Sequence, residues 1–178
     1  NNCCFCIRHT EKGLGEGYNL WLEKEPTLDE IIGELDKVNF DDYDEVVFCG
    51  YGEPLERADD VAEICRYIKS RTNKPVRIDT NGQANLITGK NVPELLKGCV
   101  DAISVSLNYP DAEEYGRYCR SIFGEEAFYA MLQFTMECKK HIPKVILTVV
   151  DVIGRERIEK CRKIAEDMGV HFRVRHLM

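Results

Sequence analysis

The chain has no apolar run approaching the ~18 residues of a membrane-spanning helix and no visible signal peptide, so the sequence does not describe a membrane protein. It has no excess of positive charge either: 24 Lys and Arg against 31 Asp and Glu leave a net charge of -7. That balance argues against direct nucleic-acid binding through phosphate neutralisation. Its nine cysteines are odd in number and far too sparse for a disulfide scaffold, and a reducing cytoplasm is the expected location. The Gly13, Gly15, Gly17 stretch follows no strand and lacks the Gly-Lys-Ser/Thr ending of a phosphate loop; it reads as a loop able to act as a lid or a plain solvent loop. A length of 178 residues is about one domain.

What is present starts at the first residues, Asn1-Asn2-Cys3-Cys4-Phe5-Cys6-Ile7-Arg8-His9. Three cysteines within four positions cannot all enter one core from a turn. They read as soft metal ligands, with Cys3-x-x-Cys6 as a two-ligand hook. A second segment, Phe48-Cys49-Gly50-Tyr51-Gly52-Glu53-Pro54, ends an apolar run about one β-α unit downstream.

Between and after these, strands alternate with helices. Thr27-x-x-Glu30 is a capping box, and Leu28, Ile31, Ile32, Leu35 and Val38 give the first helix one buried face. Val46–Phe48 reads as a strand buried on both faces. Val61, Ile64, Cys65 and Ile68 mark a second helix, 76–81 a strand, 92–97 a short helix and 102–108 a strand. An extra helical turn follows Pro110, then a longer helix through Phe128, Met131, Leu132, Thr135 and Cys138. A strand at 145–150, a helix through Ile158, Cys161, Ala165 and Met168 stopped by Gly169, and a last strand at 170–177 complete the series.

Such alternation requires crossover connections and parallel neighbours. Five units are visible, too few for a closed eight-fold barrel, so an open, partial barrel is expected. Polar residues gather at the C-terminal ends of the strands, where parallel β/α folds build their sites: Gly52 and Glu53, then Asp79, Thr80 and Asn81, then Ser104, Ser106 and Asn108, then Asp151, then Arg175 and His176. Strand alternation points Ser104, Ser106 and Asn108 the same way, and His176 is the histidine placed for acid–base work. Cys65, Cys138 and Cys161 fall on apolar helix faces and read as core residues. Cys49, Cys99 and Cys119 are left open.

The cysteine segment with its aromatic Phe5 and the Gly-Tyr-Gly-Glu-Pro turn together resemble the radical S-adenosylmethionine (SAM) superfamily, whose signature is Cys-x-x-x-Cys-x-x-Cys followed by a Gly-Gly-Glu-Pro-like turn. Cys3 and Cys6 match the second and third ligands. The first would lie before Asn1, so either the sequence begins inside the motif, which is the favoured reading, or that ligand is lost, and Tyr51 stands where a glycine is commoner. The implied fold is α/β, a partial (β/α)6 TIM-like barrel with parallel strands, its first strand missing from this chain. The implied domain is a single truncated radical SAM core over 1–178.

The resemblance also implies the chemistry. A [4Fe-4S] cluster held by Cys3 and Cys6 would bind SAM, cleave it reductively and generate a 5'-deoxyadenosyl radical for hydrogen abstraction. Gly50, Tyr51, Gly52 and Glu53 would meet the methionine end, with Glu53 anchoring the turn. Asp79, Asn81, Ser104, Ser106 and Asn108 look like ribose and carboxylate contacts, Arg120 like a carboxylate partner, and Arg175 and His176 lie where adenine is expected. A small-molecule, nucleotide-like or peptide substrate and a reductant such as flavodoxin or ferredoxin are implied. The segments Asp79-Thr80-Asn81-Gly82-Gln83-Ala84 and Ser104-Val105-Ser106-Leu107-Asn108 most resemble the TatD-associated radical SAM proteins, with a functional link to a TatD-type nuclease. Open alternatives are an activating enzyme for a partner protein, a zinc protein using Cys3, Cys6 and His9, and a SAM-binding protein without catalysis.

Overall fold

In the computed structural model residues 1–6 and 22–177 are described. The Gly13, Gly15, Gly17 loop and His9 lie outside them. Seven helices and five strands alternate among the described residues: α1 (Leu28–Leu35), β1 (Val46–Phe48), α2 (Ala58–Arg71), β2 (Val76–Thr80), α3 (Ala84–Thr88), α4 (Val92–Leu95), β3 (Ala102–Ser106), α5 (Ala112–Cys119), α6 (Glu126–His141), β4 (Lys144–Val150), α7 (Arg155–Met168) and β5 (His171–Arg175). The sheet runs in sequence order, β1-β2-β3-β4-β5, with every pairing parallel. It is open: β1 and β5 have one strand neighbour each. This is the α/β partial barrel expected from the alternation.

One row of side chains along each strand is apolar and covered by helices. Ile78, Ile103, Val105, Leu147 and Val149 are fully buried there, with α6 packed on β3 and β4 and α7 on β4 and β5. The alternate row is different, carrying Arg77 and Asp79 on β2, Ser104 and Ser106 on β3, Thr148 on β4, and Arg173 and Arg175 on β5. Register brings these residues side by side: Asp79 stands against Ser104, Ser106 against Thr148, and Thr148 against Arg173.

Several elements depart from the sequence reading. β1 is half-buried rather than buried on both faces, because it is an edge strand. The capping box at Thr27 forms, its hydroxyl accepting from the Glu30 amide and the Glu30 carboxylate accepting from the Thr27 amide. α1 nonetheless has no fully buried residue: it lies against α2, and Leu28, Ile31 and Leu35 are only partly covered. α3 was not visible in the sequence, since five residues are too few to show a period of 3.6. Cys65, Cys138 and Cys161 are core residues as read, and Cys99 and Cys119 join them. None of the nine cysteines is in a disulfide.

Candidate active site

The cysteine hook is a tight turn, closed by the Cys6 amide donating to the Cys3 carbonyl at 3.1 Å. It is tied to the end of α5. The Asn2 amide donates to the Cys119 and Arg120 carbonyls (3.1 and 3.2 Å), and the Cys4 amide to the Tyr118 carbonyl (3.0 Å). Behind the hook, Gln83 is almost fully buried; its carboxamide nitrogen donates to Asn1 Oδ1 and the Tyr115 hydroxyl (2.8 and 2.9 Å), and its oxygen accepts from Ser121 (2.7 Å). The Phe5 ring lies 6.3 Å from that of Tyr109, which stacks on Tyr118 at 4.7 Å. Burial pushes the Tyr109 hydroxyl up to about 12, so it stays protonated.

Cys119 lies beneath the hook. Contact with the Cys3 thiol, reinforced by burial, pushes the Cys119 thiol well above its ordinary value. On its other side, at the end of β3, the Asn108 carboxamide nitrogen stands 4.0 Å from Cys119 Sγ. Asn108 does not continue the Ser104, Ser106 alternation as expected: its φ of 57° is left-handed, which turns it out of the strand. Its buried Oδ1 has no hydrogen-bond partner among the described residues.

At the end of β1, Gly50 and Gly52 have φ of 154° and 114°, and a Cβ on either would meet nothing within 4 Å. Glycine is required there by backbone shape rather than by crowding. Glu53 closes this turn and links it to β2. Its carboxylate accepts from the Leu55 amide (3.1 Å), the Thr80 hydroxyl (2.7 Å) and the Asn81 amide (2.7 Å). Burial still pushes the carboxyl up, outweighing those donors. Tyr51 is half-buried and Cys49 exposed beside it. The Asn81 side-chain oxygen is committed to a local turn, accepting from the Gln83 amide at 2.9 Å.

The remaining predicted residues divide. Asp79 is paired with Arg77, which also reaches Glu45 at 3.1 Å. Ser104 and Ser106 accept from Arg173 and Arg175 Nη2 at 3.1 and 3.3 Å, forming with them a group of their own across β4. His176 is exposed; its Nδ1 lies 2.7 Å from Asp151 Oδ2, a contact that holds the Asp151 carboxyl below its ordinary value. Arg120 is exposed at the end of α5 with a left-handed φ of 49°, its backbone rather than its side chain meeting the hook. A cavity of about 320 Å³ lined by Lys139, Val145 and His171 lies at the opposite ends of β4 and β5, away from all of these.

Sequence reasoning missed Gln83, Tyr115 and the arginines Arg77 and Arg173. The arginines had a signal: the period of two in Arg77-x-Asp79 and Arg173-x-Arg175 places each pair on one face. Gln83 had none, since its burial depends on partners 32 and 82 residues away.

Comparison with known proteins follows this geometry. The family model of the radical SAM superfamily matches residues 1–168. The chain belongs to the radical SAM superfamily. Among solved structures similar to this superfamily member is a radical SAM methyltransferase from Sphaerobacter thermophilus, with a TM-score of 0.60 and 15% identity over 98% of this chain and 62% of that one. The chain therefore spans about three fifths of that protein's length, and the likeness concerns the fold. No curated protein matches. No described helix is long and apolar enough to cross a membrane.

Superfamily members generally bind a [4Fe-4S] cluster and SAM. Cys3 and Cys6 fit as two thiolate donors on one turn, and the unpartnered Asn108 oxygen fits a hydroxyl-bearing ligand such as a ribose. No set of three metal-ligating side chains is assembled among the described residues.

Proposed function

We propose that the protein is a radical SAM enzyme in which Cys3 and Cys6 ligate a [4Fe-4S] cluster and the C-terminal ends of the strands hold SAM. The observation that carries the reading is the cysteine turn pinned to residues 118–120, beside the orphaned acceptor of Asn108. When bound, the cluster supplies the electron for reductive cleavage of SAM, which arms the enzyme to take a hydrogen atom from its substrate.

The protein's own contribution is positioning. Glu53 holds the turn so that the Gly50, Tyr51 and Gly52 backbone faces the methionine end. Asn108 offers Oδ1 to a ribose hydroxyl; left unpaired, a buried acceptor costs about 1–3 kcal/mol. His176, oriented by Asp151, stands over the ends of β4 and β5, where adenine is expected. Buried Cys119 is a thiol adjacent to a cluster ligand, where contacts to sulfur tune reduction potential.

The finer parts of the reading rest on sequence. The TatD-associated assignment, with its link to a TatD-type nuclease, rests on residues 3–8, 50–54, 79–84, 104–108 and 110–115. A flavodoxin- or ferredoxin-type reductant and a reducing cytoplasm are part of the same proposal, consistent with a thiolate-held cluster and with cysteines that form no disulfide. The test is anaerobic reconstitution, counting metal and assaying 5'-deoxyadenosine after reduction with SAM. About four iron and four sulfide per chain, with deoxyadenosine formed, is the expected result. Zinc in place of iron, or a cluster without SAM cleavage, overturns it.

A further inference from the structure

The polar face of the sheet carries more positive charge than its own acids neutralise. Three guanidinium groups, Arg77, Arg173 and Arg175, share it with the carboxylates of Glu45 and Asp79, and both carboxylates contact Arg77. Arg173 and Arg175 instead rest on neutral hydroxyls, Ser104 and Ser106, and neither forms an ion pair among the described residues. A serine hydroxyl satisfies one N–H but cancels no charge. Withdrawing a cation from water without a counter-ion is costly, and a fold that retains two such cations on one face has a use for them.

The geometry is that of a prepared receptor. Residues 173 and 175 lie on the same face of β5, about 7 Å apart along the strand. Ser104 and Ser106 repeat that spacing on β3, so each hydroxyl fixes one guanidinium across the intervening strand. Each arginine engages a serine through Nη2, and each Nε is buried with no partner among the described residues. Two oriented forks with unspent donors suit an oxyanion, which guanidinium recognises in two-point fashion. Burial pulls the Arg175 guanidinium down from its ordinary value, with Asp79 opposing and Arg173 and Arg77 adding to the fall. An arriving anion would reverse that penalty. A charged Cys3 thiolate also opposes that fall at Arg175.

We propose that Arg173 and Arg175, held by Ser104 and Ser106, form the binding site for an oxyanion of the substrate, a phosphate or a carboxylate. The inference rests on the radical SAM reading, which makes this face the chamber where substrate meets SAM. It gives the unidentified substrate a chemical class: an acid, anchored by its charge so that the reacting carbon is turned toward the hook.

The test is equilibrium dialysis of the full chain, with and without reconstituted cluster, against radiolabelled inorganic phosphate and, separately, malonate, at ionic strength held constant with chloride. SAM affinity is measured alongside. Saturable binding of either anion is expected, weakened by about tenfold for each guanidinium lost in Arg173→Gln, Arg175→Gln and the double variant. Arg162→Gln should bind like the wild type, since Arg162 packs over the Phe172 ring on the other face of β5. Preference for phosphate or for malonate identifies the acid. The Arg173→Lys and Arg175→Lys variants serve if the glutamine variants do not fold, because lysine keeps the charge and loses the fork; weaker anion binding is expected of them too. No saturable binding by the wild type, or binding indifferent to these substitutions, overturns the proposal. So does a parallel loss of SAM affinity, which would assign the pair to the SAM carboxylate. A wild type that binds phosphate through the pair but fails to bind SAM would keep the anion site and overturn the radical SAM reading instead.

Discussion

Neighbouring residues of one strand serve opposite ends in this sheet. On the helix-covered face, Ile78, Ile103, Val105, Leu147 and Val149 have no exposed surface and belong to the apolar core. On the other face the same strands carry Arg77, Asp79, Ser104, Ser106, Thr148, Arg173 and Arg175; Arg77 pairs with Asp79 on its own strand, while Arg173 and Arg175 reach from β5 to the serines of β3. Ile146 and Val150 are the apolar members of that second row on β4, lying beneath the span from β5 to β3. The difference teaches that stability and recognition are separated here by side-chain parity, so substitutions one position apart should differ in kind.

The sharpest break of that comparison uses β3 and β4. Leu147→Ala should cost about 2–5 kcal/mol, read as a fall in urea midpoint, whereas Ser106→Ala on the other face should cost no more than about 1.5 kcal/mol. Equal losses would show that the two faces are not energetically distinct. Gly82→Ala comes next, at about 1–3 kcal/mol: an added Cβ would sit 2.7 Å from Met131 Cγ and 2.8 Å from Val105 Cγ1, at a φ of 75°.

Glu53→Gln is expected to cost about 1–3 kcal/mol, because an amide nitrogen would oppose one of the three donors the carboxylate accepts from. Its pH dependence has a definite sign. Burial raises the folded carboxyl above its ordinary 4.5, so the native state favours the protonated form. That contribution is present below 4.5 and is lost as pH rises through the folded value, making the advantage of wild type over Glu53→Gln larger in acid. The smallest effect is the reverse case. Arg157 holds the Glu114 carboxyl below its ordinary 4.5, so any advantage over Glu114→Gln is present above that value and lost on acidification. Unfolding midpoints of the three proteins across acid to neutral pH check both signs.

The order of elements was legible because each strand ends in a turn residue and each long helix shows its period, as in Val61, Ile64, Cys65 and Ile68 of α2. The glycines at 50 and 52 and the contact of Glu53 with the Leu55 amide were legible for the same local reason, being fixed by backbone within a few residues, whereas the bonds of Glu53 to Thr80 and Asn81, 27 and 28 residues away, were not. Asn108 was misjudged, since alternation says nothing about a residue that leaves the strand with a positive φ. Gln83 and Tyr115 escaped because their value lies in one another and in Asn1, and no window along the chain contains all three. Arg173 was in plain view at two residues from Arg175; only its Ser104 partner, 69 positions away, gives it meaning.

The anchoring of the first residues to α5 has a consequence for how the protein is made. Asn1 and the Tyr115 hydroxyl it reaches are 114 residues apart in sequence, and the hook's backbone partners lie just beyond. At bacterial-type synthesis rates, Cys3 and Cys6 therefore wait on the order of ten seconds before their support has emerged from the ribosome. During that interval they are unshielded thiols on an unfolded stretch of nascent chain. On the proposed reading, iron and sulfide delivered then would find no ordered receptor, so loading should follow completion of α5, and oxidants encountered before it should damage the nascent protein more than the finished one.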